Sequence, residues 1–126
     1  MATIENVQLG ITAVVAKPGY SDISYSYELH PDAADCAARR AFTVTVGLWG
    51  EDVFDDDVLA TDMDEHTIAL QEGAPCEAIR VARKFEVETK LLHEDIIGDD
   101  EVFLIVEAQS QDHRASGKSN TVVGYF

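Results

Sequence analysis

The chain has 126 residues, 46% of them hydrophobic and 26% charged, which is enough for one hydrophobic core and too little for two of ordinary size. A single domain spanning residues 1–126 is therefore expected. Acidic residues outnumber basic ones 24 to 9 for a formal charge of −15, and a field of that sign repels phosphate backbones and anionic lipid heads, which disfavours nucleic acid and membrane surfaces as partners.

The opening residues, MATIENVQLG, place no basic residue before an apolar run and offer no small-residue cleavage site. No secretory signal is expected there, and a cytoplasmic location is. The longest apolar run, Val102 to Val106, falls well short of the ~18 residues of a membrane helix, so no membrane insertion is expected.

Strand periodicity begins with Val7, Leu9, Ile11, Ala13 and Val15, which occupy alternate positions until Pro18 and Gly19 supply a turn. Ile23, Tyr25, Tyr27 and Leu29 alternate with Ser24, Ser26 and Glu28 in the next strand. The segment from His30 to Ala41 contains DAADCAARRA and is long enough for one helical turn. Phe42, Val44, Val46 and Leu48 then resume the period of two, with Trp49 on the opposite phase and expected to pack in a second layer or under the loop that follows.

Residues 50 to 65 are acidic and loop-like, with short strands plausible at Val58 to Thr61 and Thr67 to Leu70. From Ile79 the set Ile79, Val81, Phe85, Val87, Thr89 and Leu91 faces one way, and Arg80, Lys84, Glu86, Glu88 and Lys90 face water. Val102 to Val106 is an unbroken apolar run, as in a central strand buried on both faces. A turn through Ser116, Gly117 and Lys118 then leads to a last strand, residues 121 to 126, paired as a hairpin with the central one.

Cys36 and Cys76 both fall in connections, and neither has a second Cys or His at zinc spacing. Free thiols are the expectation, because a disulfide would require both connections at the same end of the molecule. The four histidines stand singly, and His93 alone has carboxylate neighbours, Glu94 and Asp95. Successive strand residues point to opposite faces, so this string is a poor dyad. No nucleophile elbow, phosphate-cradling glycine loop or dinucleotide fingerprint is present.

Roughly seven strands at regular spacing, with turn chemistry between them and no amphipathic helix, indicate an all-β, antiparallel two-sheet β-sandwich, with a closed barrel as the structural alternative. The last third, KFEVETKLLHEDIIGDDEVFLIVEAQSQDHRASGKSNTVVGYF, resembles the end of an immunoglobulin-like or fibronectin type III-like domain: a strand, an acidic corner, a central strand and a hairpin into a SNTV strand. That resemblance implies an immunoglobulin-like Greek key. It lacks a cysteine pair in the strands and has Phe103 where a corner tyrosine is sought, which departs from the antibody-type pattern. The DDEVF corner also resembles the acid-rich turn of Calx-β modules, and this implies calcium.

Two functional expectations follow. The first is a non-enzymatic structural or protein-interaction module, without cofactor, that assembles as a homo-oligomer through sheet edges and termini. Arg39 and Arg40 would meet the acidic loops of a neighbouring copy, and Tyr125 and Phe126 would pack into a partner. The second is a calcium-binding sandwich in which Asp55, Asp57, Asp99 and Glu101 share the ion. It requires the loop after the third strand and the corner before residue 102 to lie at one end of the fold.

Overall fold

The computed structural model describes residues 1–50, 57–71, 73, 75–92, 100–111 and 113–124. Its strands are β1 (Thr3–Ala13), β2 (Tyr20–His30), β3 (Ala41–Gly50), β4 (Asp57–Ala69), β5 (Ile79–Glu88), β6 (Asp100–Ser110), β7 (His113–Lys118) and β8 (Val122–Gly124). A short helix, α1 (Ala33–Ala37), joins β2 to β3, and a 3-10 turn over Thr89–Leu92 follows β5. All strand pairs are antiparallel. One sheet has the order β1-β2-β5, and the other has the order β4-β3-β6-β7 with β8 also on β6. The protein is a two-sheet β-sandwich.

The core is the meeting of the inward phases of these strands. Ile23, Tyr25, Tyr27 and Leu29 of β2 face Phe42, Val44, Val46 and Leu48 of β3 and Val102, Leu104, Val106 and Ala108 of β6, all buried in one cluster. Burying an aliphatic or aromatic side chain of this size stabilises by about 1.5–3 kcal/mol each, so this layer dominates the folding free energy. The Tyr27 hydroxyl, carried into the core on β2, is satisfied across the sandwich by His66 Nε2 on β4.

β1 reaches the core by an irregularity. Its register with β2 shifts between Glu5 and Gln8, where Asn6 has φ 53°, so that Ile4 as well as Val7 and Leu9 turn inward. The strand ends at Ala13, and Val15 is 97% exposed in the turn instead of continuing the alternation. Lys17 N–H donates to the Val14 carbonyl in that turn, which takes the chain out of the sheet before Val15 can pack.

Three further expectations need correction. Residues 57 to 69 form one continuous strand, not a loop with two short strands, and register shifts at Val46/Leu48 and Leu48/Trp49 accommodate it. β5 stops at Glu88 because Thr89 turns back, its N–H donating to Gly19 O at 2.8 Å and its hydroxyl lying 2.7 Å from that of Ser21. The stretch containing Ser116, Gly117 and Lys118 is strand β7, and the turn lies earlier, at Gln111 with φ 52°. Gly117 is there because β1 crosses closely above it: a Cβ at this position would stand 2.7 Å from Ile4 Cγ2 and 2.8 Å from Val7 Cγ2.

Between β7 and β8 the chain steps by one residue along β6. Ser119, buried at the step, accepts from Leu104 N–H through Oγ at 2.8 Å and donates its own N–H to Leu104 O at 2.9 Å. Outside the sandwich, half-buried Trp49 stacks on Phe103 of the neighbouring strand at 6.4 Å between centroids, and Lys118 Nζ sits 4.0 Å over the Phe103 ring. Phe103 is thereby 2% exposed although it faces away from the core. Trp49 thus lies on the outer face that its phase implied, against Phe103 and not in the core.

Candidate functional site: two opposite poles

The register places the connections at two ends of the sandwich. At one pole Gly50 pairs with both Asp57 and Val102, and Asp100 pairs with Gly124. The β3–β4 connection and the segment preceding β6 therefore both attach here, as the calcium arrangement requires. Those segments carry Glu51, Asp52, Asp55 and Asp56, and Glu94, Asp95 and Asp99, in the sequence. Glu101 is exposed on β6 opposite Val123, and Asp57 begins β4 two strands away. Asp55, Asp99, Tyr125, Phe126 and His93 lie outside the described residues. Among the described residues, no group of three or more His, Cys, Asp or Glu stands close enough to hold a metal ion.

At the other pole Ala41 pairs with Ala69, and Leu29 with Ile79. Helix α1 folds here because Asp32 caps it: Asp35 N–H donates to Asp32 Oδ1 at 2.8 Å, and Asp32 N–H donates to Asp35 Oδ2 at 3.0 Å. This reciprocal box satisfies two amide groups that a helix start leaves without intrahelical partners. Asp35 is 1% exposed, and Arg40 Nε lies 2.9 Å from its Oδ1. A carboxylate buried to this extent needs such a charge partner, so Arg40 is engaged in holding the pole together. Arg39 ends the helix with φ 52° and projects to the exposed surface.

Cys36 and Cys76 form a disulfide, with Cα atoms 6.0 Å apart, in place of the free thiols expected. The condition set by the sequence is met: α1 and the β4–β5 connection lie at the same pole. The bond ties that connection to the helix and walls a cleft of about 410 Å³. Ala37, Ala69, Leu70, Pro75 and Ile79 make its lining largely apolar. Arg39 and Gln71 supply polar groups among the described lining residues. Leu70 N–H donates to Arg40 O at 3.0 Å, which fixes the β4 side of the cleft to the end of α1. The volume is within the range of small-ligand and side-chain pockets.

Of the residues singled out in the sequence, Arg39 and Arg40 share this pole, whereas Asp57 and Glu101 share the other. The cleft itself went unrecognised, because Ala37, Leu70 and Pro75 are unremarkable as residue types and their segments meet only through the β3–β4 pairing, the Leu70–Arg40 hydrogen bond and the disulfide. Two cysteines in separate connections were the one available signal. No protein-family model matches the chain, and no curated protein is significantly similar to it.

Proposed function

We propose that this chain is a non-enzymatic interaction module of immunoglobulin-like or fibronectin type III-like arrangement that associates with further copies of itself. The strand order supports the classification. The first, second and fifth strands form one sheet and the third, sixth and seventh the other, with β4 added at its edge, which is the exchange between sheets of an immunoglobulin-like Greek key.

The observation that carries the association is that β4, the longest strand at thirteen residues, forms a sheet edge: among the described residues it pairs with β3 alone. An edge of that length presents a row of backbone donors and acceptors for a further strand. The histidines with side-chain partners fit a structural role, His66 bonding to Tyr27 and His30 to Glu28. The Cys36–Cys76 disulfide supports an oxidising compartment over the cytoplasm.

A second reading is a calcium-binding module, favoured by the attachment of both acidic segments at the pole of Gly50 and Val102. Asp55, Asp57, Asp99 and Glu101 would supply carboxylate oxygens to an ion that prefers about six to eight of them. Light scattering behind a sizing column, run in calcium and in chelator, tests both readings. Multimers in both conditions support association through strands and termini, multimers in calcium alone support the ion, and a monomer at every concentration in both overturns self-association.

A further inference from the structure

We propose that two copies join side by side about a two-fold axis parallel to the strands, β5 of each continuing the sheet of the other beyond β4. The inference rests on the self-association reading and names the strands in contact.

The two flanks of the sandwich differ. On one, β1 packs over β6, β7 and β8, and Asn120 bonds to the Leu9 backbone across the gap. On the other, β4 ends the larger sheet and β5 the smaller, and among the described residues each pairs with a single strand, β3 and β2 respectively. The 3-10 turn after β5 packs on β4, and Tyr27 of β2 reaches His66 of β4, so the two edges share this flank. Ile68, Leu70, Ile79, Val81 and Phe85 line it and are only partly buried against the core. A second copy that pairs with these edges covers that apolar seam as well.

Direction and charge select the pairing. β4 runs toward the pole where Ala69 meets Ala41, whereas β5 starts there at Ile79 and runs away. A two-fold axis along the strands keeps both directions, so β5 meets the second copy's β4 antiparallel, with the α1 poles level and the outer faces continuous. A two-fold across the strands pairs β4 with β4 and β5 with β5 instead. The sequence of β4 contains Asp57, Asp62, Asp64 and Glu65 and no lysine or arginine, so pairing it with itself sets acid against acid. On β5, Arg80 and Lys84 occupy the outer phase; their side chains are 85% and 64% exposed and reach Glu28 and Asp22 only at 3.5 and 3.6 Å. Glu65 is exposed on the outer phase of β4, opposite Thr45. From the α1 pole, Glu65 lies four residues along β4, and Arg80 and Lys84 lie one and five along β5. The axis along the strands therefore sets Glu65 between the levels of the two cations on one face, an unlike-charge approach made twice per dimer.

Charge reversal in the whole chain tests the contact. Arg80→Glu/Lys84→Glu makes the outer side of β5 acidic, and Glu65→Lys places a cation on β4. Each alone should weaken the dimer about 10-fold or more in sedimentation at low salt, because every change acts twice about the axis. Mixed in equal amounts, the two variants restore unlike charge at both contacts and should form a dimer close to wild type in affinity. Glu65→Lys also makes the chain less acidic, so a response to net charge alone would strengthen association. Arg80→Gln/Lys84→Gln, expected to act in the same direction more mildly, replaces the double reversal if circular dichroism shows the latter unfolded.

Loss in each variant with recovery on mixing supports the pairing. Association that strengthens with Glu65→Lys and ignores the changes on β5 would overturn it and leave β4 pairing with β4. Variants that all assemble like wild type would overturn it and leave self-association through another surface, and variants that stay monomeric when mixed would overturn it too. A wild-type chain that remains monomeric throughout would overturn both readings.

Discussion

The side-chain amide of Asn120 makes to Leu9 the two hydrogen bonds that a neighbouring strand would make. Leu9 N–H donates to Asn120 Oδ1 at 2.8 Å, and Asn120 Nδ2 donates to Leu9 O at 3.1 Å. Leu9 is buried on β1 of one sheet, and Asn120 stands at the step between β7 and β8 of the other. One side chain thus closes the sandwich along this side. Asn120→Ala leaves both Leu9 backbone groups without that partner, and the unfolding free energy should fall by about 1–2 kcal/mol. Asn120→Asp should cost at least as much near neutral pH, because a carboxylate cannot donate to the Leu9 carbonyl. Urea midpoints at constant slope measure both, and an unchanged midpoint would deny the clamp any role in stability.

Gly117 permits the close crossing of β1 over β7. A methyl group there meets Ile4 Cγ2 and Val7 Cγ2 at distances that require the strand to move. Gly117→Ala should therefore destabilise by about 1–3 kcal/mol, the usual range for overpacking. Gly19→Ala is the comparison, since Gly19 has φ +85° with no atom within 4 Å of a built Cβ. Its cost is that of a left-handed backbone alone, about 1–2 kcal/mol. The variants differ in kind: crowding at Gly117 should be relieved by adding Val7→Ala, and strain at Gly19 should not. Equal effects of Val7→Ala in both backgrounds would count against the crossing.

The same glycine shows where sequence reasoning stops. Ser116, Gly117 and Lys118 have turn chemistry when read locally, yet Gly117 answers to Ile4 and Val7, more than a hundred positions earlier. The alternations in β2 and β3 were legible because one face of each is buried along its whole length. In β4 the two register shifts break any simple period, and acidic residues give the stretch the composition of a loop. Ile4 was missed because the bulge at Asn6 resets the phase of β1. At the cleft, pairing of Cys36 with Cys76 depends on α1 and the β4–β5 connection meeting at one pole, which follows from the topology and from neither neighbourhood.

Glu28 supplies a pH-dependent contribution with a definite sign. Its carboxyl is held below its ordinary value of 4.5, first by a hydrogen bond from His30, then by one from Asn6, with a smaller attraction to Arg80. The folded state therefore binds fewer protons than the unfolded chain in the window below that value. The stability from Glu28 is fully present above about pH 4.5 and is lost as pH falls through the depressed folded value. Glu28→Gln should lower the urea midpoint near neutrality, and the gap from wild type should close as pH falls below the depressed folded value. A gap that persists unchanged in acid would show that packing, not charge, accounts for the residue.

The Cys36–Cys76 bond should stabilise both the fold and the cleft it walls. It closes a loop with a sequence separation of 40, for which the chain-entropy relation gives roughly 4 kcal/mol, and measured effects of removing a native disulfide span about 2–5 kcal/mol. Cys36→Ser/Cys76→Ser should lower the unfolding free energy within that range. Denatured wild-type protein should show no titratable thiol until reductant is added, and then two per chain. The position of the bond distinguishes its two effects. β2, β3 and β6 supply most of the buried side chains and are tied by their own ladders, so the strand circular dichroism of the folded serine variant should match wild type. The connection carrying Pro75 loses its covalent link to α1, and protection of the Leu70 amide against hydrogen exchange should fall further than that of Val44 or Val106. A uniform loss across all three amides would mean that the bond acts only through the unfolded chain and leaves the shape of the cleft unaffected.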